Sequence, residues 1–269
     1  MSGARAAAAM LLLGCALQRC AAQLPGMLPL PHACTGALNG PAPRSDLRWP
    51  ANETKLSEGL RQADEAKGVD LIFYGDSIFW EYNGDNLNGP VTKADLQRKA
   101  IFQGVFKNYS YKIMALPGDQ SGNLLWRVQT GGEFPTIHMP KTVVILIGTN
   151  DLTVTQTVKY IHGNSPKTQI VLVGVLPRGA QYWDPAQAWI WPNRYTDAIA
   201  AVNAGYYALA QSAPEYIKYV YCGKPYTNDQ GMNPDNVEDG VHPNQIGLEL
   251  LAACMKKDID VDMGSTRAN

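Results

Sequence analysis

The chain lacks most of the features that would assign it quickly. Only 17% of its 269 residues are charged and the net charge is -1, so it offers neither the basic surface a nucleic acid needs nor a field able to steer a charged ligand. No apolar run reaches the roughly 20 residues that span a bilayer, so no stable membrane insertion is expected. Four histidines and five cysteines, widely scattered, form no metal-ligand spacing, and neither a metal nor another cofactor is expected. No Gly-x-Ser-x-Gly occurs, which removes the nucleophile elbow of the α/β-hydrolases. Internal repeats and low-complexity linkers are also missing.

What is present is an ordinary globular composition, 45% hydrophobic, with length enough for one sizeable core. Residues 1–22 stand apart. Arg5 precedes an apolar stretch, Ala6 to Leu17, and Cys20-Ala21-Ala22 supplies small residues before Gln23. That is the outline of a secretory signal peptide, and secretion is the expectation. A transit peptide fits less well, because the segment lacks several Arg and Ser residues. Cys15 and Cys20 would leave with the signal, and Cys34, Cys222 and Cys254 then allow at most one bridge. Spacing leaves the pairing open, with Cys34 to Cys222 among the options. Asn52-Glu53-Thr54 and Asn108-Tyr109-Ser110 are glycosylation sequons that matter in a secreted chain.

Residues 23–55, rich in Pro, Ala and Gly, predict an extended arm. Apolar runs of strand length fall at 69–75, 111–116, 142–147, 170–176 and 216–221. Helical spacing falls at 56–67, 94–106, 121–129, 153–162, 193–210 and 245–257. This alternation predicts an α/β protein, one domain over 56–258 built on a doubly wound parallel sheet of five strands. Residues 152–167 are short for a helix crossing the sheet, which predicts a thinned layer there. The polar tail 259–269 is expected to fray.

Four segments fall at strand ends or in the last loop: Gly75-Asp76-Ser77, Gly118-Asp119-Gln120-Ser121, Gly148-Thr149-Asn150-Asp151 and Asp239-Gly240-Val241-His242-Pro243-Asn244. Each alone has a bland reading as a cap or turn; their joint order and placement carry the signal. Open α/β sheets bind ligands at the carboxyl ends of their strands. There Ser77 is a candidate nucleophile and His242 the base that takes its proton. Asp239, three positions earlier, is near enough for a one-turn loop to bring its carboxylate to His242 Nδ1. The Ser77 and Gly118 backbone N–H groups and the Asn150 amide are candidate oxyanion donors. Asp76 and Asp119 read better as caps or loop-ordering acceptors. His32, His138 and His162 read as surface residues.

These four segments resemble the blocks of the SGNH (GDSL-type) hydrolases, over about Val69 to Met255. Leu125-Trp126-Arg127 after Gly118-Asp119, and Leu176-Pro177-Arg178-Gly179 after Gly148-Thr149-Asn150, are similar to the catalytic subunits of platelet-activating-factor acetylhydrolase. The resemblance implies a flavodoxin-like three-layer α/β/α sandwich. It puts the nucleophile at Ser77, the oxyanion donors at Gly118 and Asn150, and the acid and base at Asp239 and His242. An insertion-like stretch, Ala180 to Pro192, carries Tyr182, Trp183, Trp189 and Trp191. Its aromatics suit stacking on sugar rings or packing an acyl chain, or else plug the rim of the fold. The expectation is a secreted serine esterase of small acyl esters, acetyl foremost, on a small-molecule or glycan substrate. The rivals are a lipid acylhydrolase or lysophospholipase, and a glycan-binding module without turnover. Nothing in the sequence assigns an oligomeric state.

Overall fold

The computed structural model of the chain describes residues 40–86, 89–151, 155–180 and 184–265. The five apolar runs become β1 (Leu71–Gly75), β2 (Tyr111–Ala115), β3 (Thr142–Leu146), β4 (Gln169–Val173) and β5 (Ile217–Val220). All pair in parallel, in the order β2-β1-β3-β4-β5. Side chains alternate across a strand, so the sheet feeds two cores. Leu71, Phe73, Val144, Leu146, Val171 and Val173 enter one cluster, while Ile72, Tyr74, Val143, Ile145, Ile170 and Leu172 enter the other.

The helices cover both faces, as buried parallel strands require. Helices α3 (Lys93–Val105) and α7 (Gln245–Ser265) supply Phe102, Leu248, Leu251, Met255 and Ile259 to the first cluster. Helices α1 (Trp49–Ala66), α4 (Ser121–Gln129), α5 (Thr155–Asn164) and α6 (Thr196–Ser212) supply Leu60, Leu124, Val128, Val158, Ile161, Ile199 and Tyr206 to the second. The result is the three-layer α/β/α sandwich with flavodoxin-like strand order. Between β1 and β3 the winding changes direction, and the crevice above their carboxyl ends is the switch point at which such sheets take ligands.

Several boundaries differ from the sequence reading. Helix α1 starts at Trp49, seven residues before the expected start, because Asp46 Oδ1 accepts the Trp49 N–H at 3.0 Å and Pro50 pre-sets the first turn. Of the expected tail 259–269, residues up to Ser265 are instead the end of α7, where Met255, Ile259 and Met263, four apart, extend its buried stripe; residues 266–269 lie outside the described residues. Strand β4 ends at Val173 rather than 176. Helix α5 is ten residues long and buries Val158 and Ile161, so the layer is not thinned there. Cys222 pairs with Cys254, not with Cys34: Cys222 follows β5, and α7 brings Cys254 over it with Cα atoms 5.9 Å apart. Cys34, the expected signal segment 1–22 and most of the expected arm lie outside the described residues.

Candidate active site

Strand β1 ends at a glycine because the chain is crowded there. A Cβ on Gly75 would come within 2.6 Å of the Leu146 carbonyl of β3. Asp76 then caps a four-residue helix, α2 (Ser77–Trp80), accepting the Ile78 N–H on Oδ1 at 3.0 Å. Ser77 is the first residue of that helix, half-buried above the strand end. Asp76 is wholly buried and its second oxygen has no hydrogen-bond partner among the described residues; burial pushes its carboxyl up to about 7.

The loop between β5 and α7 delivers the other two groups. Asp239 Oδ1 accepts the N–H groups of Val241 (2.9 Å) and His242 (2.8 Å), and Oδ2 accepts His242 Nδ1 at 2.6 Å. Gly240, at φ +84°, makes this one-turn closure possible. With Nδ1–H donated to the carboxylate, Nε2 is left as acceptor and lies 2.9 Å from Ser77 Oγ. The structure thus brings Ser77, His242 and Asp239 into one hydrogen-bonded chain across 165 residues of sequence. Burial alone would lower the His242 pKa. The Asp239 hydrogen bond and charge, with Glu81 and Asp76, outweigh it and hold it above the ordinary imidazole value. Burial would likewise raise Asp239, but His242 and the two N–H groups hold it low.

The candidate oxyanion donors follow neighbouring strands: Ser77 after β1, Gly118 after β2 and Asn150 after β3. Gly118 has φ +79°, and its N–H has no hydrogen-bond partner among the described residues. Asn150 Nδ2 donates to the Asp119 carbonyl at 2.9 Å, which ties the β3 turn to the β2 turn and leaves the amide a second hydrogen. Asp119 is a buried acceptor, taking Trp49 Nε1 (2.7 Å) and Arg127 Nη1 (2.9 Å). Arg127, also fully buried, pairs on its other side with Glu133. Asp151, pushed up to about 6 by burial, accepts both the N–H and the hydroxyl of Ser121.

The aromatic insertion is placed differently from an open stacking surface. Trp189 and Trp191 are half-buried and pack against the core, Trp191 against both clusters, which is the arrangement of a plug. Tyr182 and Trp183 lie outside the described residues. Ala188 of the same segment presents its carbonyl to the triad loop, 2.0 Å from where a Cβ of Gly240 would stand. Of the other histidines, His138 bonds Asp64 and His162 stacks on Tyr216.

Sequence reasoning missed Arg98. Its guanidinium bonds Glu81, just after α2, and Glu238, beside Asp239, the latter at 2.7 Å. One cation therefore joins the segment carrying the serine to the loop carrying the base. Nothing in the spacing of residues 81, 98 and 238 signals this. Among the described residues no group of His, Cys, Asp or Glu is arranged to hold a metal, and no helix is long and apolar enough to cross a membrane.

A serine hydroxyl in line with an imidazole and a carboxylate, at the switch point of a doubly wound sheet, is the arrangement that nucleophilic attack by a serine requires. The chain belongs to the GDSL-like Lipase/Acylhydrolase family, whose model matches residues 73–250. It is 26% identical over 145 residues to the platelet-activating factor acetylhydrolase IB subunit alpha2 of Gallus gallus, covering 51% of this chain and 55% of that one. The Homo sapiens protein of the same name is 24% identical over 159 residues, 56% of this chain and 58% of its own. The chain thus spans little more than half the length of these relatives. Among solved structures, a GDSL-like lipase from Bacteroides thetaiotaomicron superposes with a TM-score of 0.51 at 21% identity, covering 78% of this chain and 97% of that one.

Proposed function

We propose that the protein is a secreted serine esterase that removes small acyl groups, acetyl foremost, from carbohydrate esters. The observation that carries the reading is the 2.9 Å contact between Ser77 Oγ and His242 Nε2, with Asp239 on the far side of the ring. His242 takes the Ser77 proton as Oγ attacks the acyl carbon. The carbonyl oxygen becomes an oxyanion, received by the Ser77 and Gly118 N–H groups and the free hydrogen of Asn150. The imidazolium returns its proton to the leaving alcohol, and the acyl group stays on Ser77. Water, deprotonated by the same His242, then attacks the acyl-enzyme and releases the acid.

Acetyl is favoured because the relatives above are named as acetylhydrolases. Carbohydrate is favoured by the signal-like residues 1–22. A second reading, a lipid acylhydrolase, draws on the same relatives, whose name specifies a lipid mediator. A panel of aryl esters from acetate to octanoate and longer, beside acetylated sugars, separates the two. Turnover confined to acetates, with sugar acetates accepted, supports the first; a preference for long chains supports the second. Ser77→Ala is the control, and a fluorophosphonate adduct mapped to Ser77 identifies the nucleophile. Binding of glycan with no ester turned over by the native chain would leave only a binding module.

A further inference from the structure

Residues 40–49 precede the stretch that matches the family, yet they lie against the turn that carries Gly118. Ala42 N–H donates to the Gly122 carbonyl at 3.3 Å, and Asn123 Nδ2 returns a bond to the Ala42 carbonyl at 2.9 Å. Arg44 then reaches the turn itself. Its Nη1 donates to the Pro117 carbonyl at 2.6 Å and to Asp119 Oδ1 at 3.3 Å, while Nη2 pairs with Asp46 at 2.8 Å. Trp49, buried and tilted against Trp126 at 5.6 Å, adds its indole N–H to the same Asp119 oxygen.

The Pro117 carbonyl and the Gly118 N–H belong to one peptide unit. A trans peptide is planar, so fixing the direction of the oxygen fixes the N–H on the opposite side. Drawing electron density toward a cation at the oxygen also makes the N–H a stronger donor. A side chain at Gly118 would be strained by its φ of +79°, and its Cβ would stand 2.9 Å from Arg44 Nη1, displacing the guanidinium. The carbonyl of Asp119, two residues on from Pro117, is the one that holds the Asn150 amide. We propose that Arg44, seconded by Trp49, is a positioning residue for the oxyanion site: the arm aims and polarises the Gly118 N–H and steadies the turn on which Asn150 rests. This rests on the serine-esterase reading above.

The test uses the full chain with Arg44→Ala, Arg44→Lys and Trp49→Phe, each checked by thermal melting. The readouts are kcat and KM on an aryl acetate, inhibition by a trifluoromethyl ketone, which forms a tetrahedral oxyanion on a serine, and the pH profile. Arg44→Ala is expected to lower kcat about 10–100-fold, less than the outright loss of a donor, with KM little changed. Trifluoromethyl ketone affinity should weaken by the same factor, and the acidic limb set by His242 should stay where it is. Arg44→Lys, which keeps one donor for Pro117, should recover part of the loss, and Trp49→Phe should cost several-fold. If Arg44→Ala fails to fold, the lysine variant and Trp49→Phe carry the same comparison. The proposal is overturned if folded variants keep native kcat, or if kcat falls while ketone affinity does not. A Ser77→Ala chain that still turns over overturns the underlying reading; a dead Ser77→Ala beside a fully active Arg44→Ala overturns the arm alone.

Discussion

Replacing Asp239 by Asn isolates what the carboxylate does for the imidazole. In the transition state His242 carries a positive charge against the Asp239 oxygen 2.6 Å from its Nδ1. Unit charges about 4 Å apart at an effective dielectric near 20 attract by roughly 4 kcal/mol. The Asp239 side chain is 34% exposed, so solvent screens part of that, and about 2–3 kcal/mol is a fair expectation. Asn adds a second defect: its amide hydrogen can be donated to Nδ1, which favours the tautomer with the proton on Nε2, where Ser77 needs an acceptor. Together these predict a loss of about 10²–10³ in kcat/KM. His242→Ala removes the proton acceptor itself and should lose at least tenfold more.

The pH profile gives a second, independent readout of the same change. Only neutral His242 accepts the Ser77 proton, so kcat/KM rises with pH through its pKa. That pKa stands above the ordinary imidazole value because Asp239 outweighs burial. Without the charge, burial is opposed by the weaker pull of Glu81 and Asp76, and the acidic limb should move to lower pH. Acetate release followed by pH-stat between about pH 5 and 9 measures both effects. Equal losses in the two variants, or an acidic limb that does not move, would refute the orienting and stabilising role.

Gly240→Ala should lower kcat by more than about 10²-fold, because φ +84° and a Cβ 2.0 Å from the Ala188 carbonyl force the Asp239–His242 loop off its geometry; kinetics beside a melting curve checks it. Removing the Cys222–Cys254 bridge by paired Ser substitutions should cost about 3–4 kcal/mol in urea unfolding, the chain-entropy value for its 32-residue separation. The carboxyls of Asp76 and Asp151 are raised to about 7 and about 6 in the folded state. The folded protein therefore holds protons that the unfolded chain releases near pH 4. Their contribution to stability is full below that pH and declines as pH rises through the folded values. Denaturant melts from about pH 5 to 8 should show that decline, and Asp76→Asn should flatten its upper part.

The fold was legible because buried parallel strands announce themselves: Thr142-Val143-Val144-Ile145-Leu146 has no polar side to mistake for a surface. The Ser77, Asp239 and His242 positions were legible because strand ends and a three-residue spacing are local. Two kinds of feature were not. Ends of helices depended on partners far away, such as Met263 finding the core from the supposed tail. Ion pairs across the site, Arg98 to Glu81 and Glu238, or Arg44 to Asp119, join residues whose spacing has no meaning until the chain is folded. The aromatic insertion left its two readings open for a related reason: exposure cannot be read from composition, and Trp189 and Trp191 spend their apolar surface on the core.

A group of buried polar residues gathers at the carboxyl end of the sheet. Inside the sheet the two clusters are almost wholly apolar, but Asp76, Asp119, Ser121, Thr149, Asp151 and Arg178 are all buried just beyond the carboxyl ends of β1 to β4. Burying charge seldom stabilises a fold, and an apolar replacement of a buried ion pair is often neutral or better. Arg127, fully buried between Asp119 and Glu133, is therefore poorly explained as a stabiliser. It is well explained as a fastener: hydrogen bonds are directional where apolar contacts are not, and this one fixes Asp119, whose carbonyl fixes Asn150. The carboxyl edge of the sheet, which carries the candidate donors, is one place where the chain accepts the cost of polar burial.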